Sequence, residues 1–60
     1  MTEERYKEII DNETSWVNVH EMKNTIKEMV RFGFISSNKG IVLINYCTYR
    51  MEVIYNEKRV

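Results

Sequence analysis

Apolar residues recur at helical spacing through the first half of the chain and crowd into near-continuous runs after Gly33. Tyr6, Ile9 and Ile10 share one face and predict a first helix over 3–11. Thr2 is placed to cap it, and Glu3 and Glu4 fall in the first turn, where the positive end of the helix dipole favours carboxylates. Asn12 to Ser15 reads as a loop. A second stripe, Val19, Met22, Ile26, Met29 and Val30, lies at i, i+3, i+7, i+10 and i+11 and predicts a helix over 19–32. Asn18 with Glu21 has the form of a capping box, and Gly33 is placed to end this helix in a left-handed conformation.

Beyond Gly33, β-branched and aromatic residues dominate and the apparent period falls to two. Phe34-Ile35 reads as a short strand, Ser36 to Gly40 as a turn, and 41–55 as a long β run. Drawn straight at ~3.3 Å per residue, that run would span about 50 Å. A globule with a radius of gyration of about 10 Å is only about 27 Å across. A fold-back at Thr48-Tyr49, or a four-residue loop from Cys47 to Arg50, is therefore expected, giving a C-terminal β-hairpin from Ile41 to Tyr55.

The hairpin register pairs Tyr46 with Met51, Ile44 with Val53 and Val42 with Tyr55 on a core face. The opposite face pairs Cys47 with Arg50, Asn45 with Glu52 and Leu43 with Ile54. The expected fold is α+β: one domain over 1–60, two helices packed on a three-stranded antiparallel sheet, in the order α-α-β-β-β.

In that arrangement Phe34 lies beside Leu43, so Phe34, Leu43 and Ile54 make an apolar row on the outer face. Clustered exposed apolar groups mark interfaces. With Tyr49 and Arg50 at the hairpin tip, residue types favoured at binding hot spots, the row is the expected partner-binding site. The plain alternative makes the row core and the tip ordinary loop. A second candidate is the basic side of the second helix, Lys23, Lys27 and Arg31, which a nucleic-acid reader would turn to phosphates; a solvated polar face produces the same pattern.

Composition narrows the functional classes. Nine basic and nine acidic residues give a formal net charge of zero, against a strongly basic nucleic-acid binder. Cys47 is the only cysteine and His20 the only histidine, so no internal disulfide and no metal ligand set is expected. A lone thiol fits a reducing compartment, and the acidic N-terminus has no apolar signal region. The longest apolar run, Ile41 to Ile44, has four residues, too few to span a bilayer. A cytoplasmic location follows as the expectation. No phosphate loop or nucleophile–base pairing stands out, so neither enzymatic activity nor a cofactor is expected.

A domain of 60 residues buries only about 60% of the surface its unfolded chain exposes. Association is a common remedy at this size, and a homodimer is expected. Ala, Pro and Gln are absent while Ile, Asn, Lys and Tyr abound, a skew that fits an AT-rich genome, that of a low-GC bacterium or of a phage or other mobile element within one. The expected function is a small non-enzymatic accessory protein that binds and modulates or inhibits a larger host protein. The alternative is a small dimeric DNA-binding transcriptional regulator using helix 19–32.

Overall fold

The structure is a computed structural model and describes residues 3–59. Three helices account for nearly all of them: α1, Glu3–Asn12; α2, Trp16–Arg31; and α3, Ser37–Arg59. The expectation of an α+β fold is overturned, because the described residues contain no strand and no sheet.

The first half of the chain follows its hydrophobic pattern. Glu3 and Glu4 occupy the first turn of α1, and Lys7 reaches back to Glu3 at 3.4 Å. The expected Thr2 cap lies outside the described residues. α2 begins at Trp16 rather than Val19, with Ser15 as its N-cap in extended backbone (φ −94°, ψ 122°). The Ser15 hydroxyl accepts the Asn18 amide at 3.4 Å, in place of the Asn18–Glu21 box. The end of α2 is a Schellman turn. Phe34 N–H donates to Met29 C=O at 2.8 Å and Gly33 N–H to Val30 C=O at 3.1 Å. Gly33 carries the required positive φ of 83°.

The second half is one helix of 23 residues instead of a strand, a turn and a hairpin. Ser36 caps it: its hydroxyl accepts the Lys39 amide at 3.3 Å and its carbonyl accepts the Gly40 amide at 2.9 Å. Coiling removes the length problem that called for a fold-back, since 15 residues rise only about 22 Å in a helix. Thr48, expected in the hairpin turn, is mid-helix and donates its hydroxyl to Ile44 C=O at 3.1 Å. That bond is how a threonine is commonly accommodated within a helix. Asn56 to Arg59 continue α3.

Both α1 and α2 pack on α3 and touch each other little. α2 runs antiparallel to α3, and α1 runs in the same sense as α3, with Lys7 and Asp11 at Tyr46 and Glu13 at Arg50. The buried core is Ile10 from α1, Val19 and Ile26 from α2, and Leu43, Cys47 and Ile54 from α3. Gly40 sits where α2 and α3 come closest: a Cβ there would overlap Val30 Cγ2. The molecule measures 40 × 18 × 15 Å with a radius of gyration of 11.5 Å. The long axis follows α3, whose 23 residues span about 34 Å.

Candidate interaction surfaces

The apolar row expected on the outer face does not form. In a helix, residues 43 and 54 are three turns apart on one side, and that side faces α1 and α2. Leu43 is accordingly 1% exposed and Ile54 2% exposed. Phe34 is remote from both in character: it lies in the α2–α3 connection and is 78% exposed. Tyr49 and Arg50 are not at a tip but in the middle of α3, and they point to different sides. Tyr49 faces solvent, whereas Arg50 donates from Nε (3.2 Å) and Nη2 (3.0 Å) to Glu13 C=O. Arg50 therefore locks the α1–α2 connection onto α3.

Three further contacts fix α1. Tyr46 donates its hydroxyl to Asp11 Oδ1 at 2.5 Å, and Lys7 Nζ stands 5.8 Å from the centroid of the same ring. The Asp11 carboxylate, and secondarily burial, raise the Tyr46 phenol above its ordinary value. Tyr6 donates to the Met29 thioether at 3.5 Å, a weak link from α1 to α2. Between these two helices runs a groove of about 360 Å³ with Ile9, Ile10, Met22 and Ile26 along it and Glu13 and Glu21 among its polar lining.

Of the apolar groups expected at the surface, Phe34 and Tyr49 are exposed and Leu43 and Ile54 are not, and others join them. Phe32 and Phe34 flank Gly33 at the turn end of the α2–α3 pair, 67% and 78% exposed. Ile41 and Val42 follow in the first turns of α3, and Tyr49 and Tyr55 lie further along it. At the other end of α2, the exposed Trp16 stacks on His20, ring centroids 5.3 Å apart and planes 7° from parallel. The sequence carries a signal for the α3 group: Val42, Tyr46, Tyr49 and Val53 repeat at i, i+4, i+7 and i+11.

Lys23, Lys27 and Arg31 form a line on α2 at i, i+4 and i+8, Lys23 half-buried and the other two exposed. The ion pairs among the described residues, Lys7–Glu3 and Arg5–Glu8, are both on α1. Cys47 is fully buried; burial pushes its thiol up, against the opposing charge of Lys23. Among the described residues no cluster of His, Cys, Asp or Glu has the makings of a metal site, and no helix is long and apolar enough to cross a membrane.

These features define a small three-helix bundle with an apolar turn end and a long helix apolar on more than one side. No family model, curated protein or solved structure matches the chain.

Proposed function

We propose that the protein is a non-catalytic binding module that docks the Phe32–Phe34 turn on a larger protein of the host cytoplasm and thereby modulates it. The observation that carries this reading is the presentation of two phenylalanines on a fixed turn. Each ring is more than two-thirds exposed, while the backbone beneath them is held by the paired bonds of the Schellman motif. Exposed aromatic side chains on an already ordered backbone lose little entropy when they bind. They suit a partner with an apolar pocket. Leu43 and Ile54 take no part, being core. Arg50 is committed to the Glu13 carbonyl.

The test is affinity capture from a host lysate with the full chain as bait, wild type beside Phe32→Ser/Phe34→Ser. Neither side chain is in the core, so the variant is expected to keep its helical circular dichroism and melting temperature while losing the captured partner. A partner retained undiminished by the double variant removes the turn as the docking site.

The alternative, DNA binding through α2, draws on the line of Lys23, Lys27 and Arg31. Phosphate contacts make affinity fall steeply with salt, whereas apolar contacts do not. A mobility-shift titration with the triple alanine variant at two salt concentrations separates the two readings.

A further inference from the structure

α3 has a second apolar stripe that its own chain covers only in part, α1 reaching it at Tyr46 through Asp11 and Lys7. α1 and α2 cover the side bearing Gly40, Leu43, Cys47 and Ile54, all buried. Val42, Tyr46, Tyr49 and Val53 form the other stripe: Val42 is 43% exposed, Tyr49 62% exposed, and Tyr46 and Val53 are half-buried. Their spacing of 4, 3 and 4 residues is the alternation of a coiled-coil seam.

Two observations say what covers this stripe. Its side chains read the same in both directions, Val-Tyr-Tyr-Val, so it matches a reversed copy of itself. An antiparallel pairing sets Val42 against Val53 and Tyr46 against Tyr49 in successive layers, the self-complementarity a two-fold contact needs. The charges beyond the stripe agree. Lys39 lies three residues before Val42 and Glu57 four after Val53, both exposed. No ion pair links either to another described residue. The antiparallel pairing brings Lys39 of each copy beside Glu57 of the other. A parallel pairing would oppose like charges at both ends.

We infer that the outward stripe of α3 is the seam of an antiparallel homodimer, Val42-Tyr46-Tyr49-Val53 closing on the same residues of a second copy. It uses a different surface from the Phe32–Phe34 turn and stands whether or not the turn binds a partner.

The experiment is sedimentation velocity of the full chain over a range of concentrations. The wild-type mass is expected to move from 7.3 kDa toward twice that value. The short seam places the dissociation constant at about 10–100 µM. Tyr49→Lys, at an exposed position, keeps the helical signal and weakens association roughly a hundredfold. Val42→Lys reads the same seam at its other end and acts alike. Lys39→Glu weakens the dimer about tenfold, and Lys39→Glu/Glu57→Lys returns it to within about threefold of wild type. A wild-type chain still monomeric at about 1 mM, far above the dissociation constants expected of a specific seam, overturns the proposal. So does a dimer indifferent to Tyr49→Lys and Val42→Lys. Failure of the charge swap to restore what Lys39→Glu loses overturns the antiparallel register.

Discussion

Glu13 joins α1 to the rest of the molecule through both its backbone and its side chain. Its carbonyl takes two N–H donors from Arg50, and its carboxylate accepts the amides of Ser15 at 3.0 Å and Thr14 at 3.1 Å. The Ser15 amide first, then the Asn18 side chain, hold its carboxyl below the ordinary carboxylate value. A carboxyl whose folded pKa lies below its unfolded one contributes stability that is present above the unfolded value and lost as pH falls through the folded one. The urea midpoint is therefore expected to hold near neutrality and to decline below about pH 4.5. In Glu13→Gln the decline is shallower and the pH 7 midpoint lower. Urea melts of both proteins at pH 3 and pH 7 check this, and parallel acid limbs would count against it. Nothing in the residue pattern around 13 pointed to this role, because the donors include Arg50, 37 residues away.

Among the elements, α2 and α3 depend on one close approach. Gly40 gives up helix propensity, about 1 kcal/mol relative to alanine, and in return lets Val30 seat against the α3 backbone. A Cβ at position 40 meets Val30 Cγ2 head on, and the stiff rotamer of a helical valine leaves little room to turn away. Overpacking of this kind costs about 1–3 kcal/mol, more than the propensity gained. Gly40→Ala is expected to lower the unfolding free energy by about 1 kcal/mol, the difference between those two terms. Adding Val30→Ala opens the space and recovers most of the loss. A double-mutant cycle by urea denaturation measures the coupling, and simple additivity would show that the helices do not meet there. Gly40 is also where the sequence misleads, since a glycine after Ser-Ser-Asn-Lys has the look of a turn. Its actual use, close helix packing, depends on Val30 across the interface.

At the scale of the whole molecule, Cys47 lies in a core of six buried apolar side chains contributed by all three helices. Its thiol is 0% exposed and raised in pKa by that burial, and a neutral buried thiol is a poor nucleophile. A disulfide-exchange reagent is expected to label the native protein roughly a thousandfold more slowly than the urea-unfolded chain, at a rate set by opening of the bundle. Stopped-flow and manual labelling in buffer and in denaturant give the ratio. Rapid labelling of native protein would mean that α1 or α2 leaves α3 easily. The same six residues show where the strand reading went astray. Leu43, Cys47 and Ile54, the most buried groups of α3, all fell on the face assigned to the outside. Val42 and Tyr55, assigned to the core, are exposed.

By itself the sequence determined α1 and α2, whose apolar residues occupy one side at helical spacing, and the Gly33 stop, which needs a residue free to take positive φ. It determined also that the second half of the chain would carry more apolar surface than one face can hide. It did not determine the period of that half. Ile, Val, Tyr and Thr favour strands by at most about 1 kcal/mol per residue, a preference that changes with context, and residues apolar on several sides satisfy both a period of two and a helical one. Tertiary packing decided between them. Coiled, 37–59 sets Gly40, Leu43, Cys47 and Ile54 in one line that two amphipathic helices can cover together, and leaves Val42 and Tyr49 facing out.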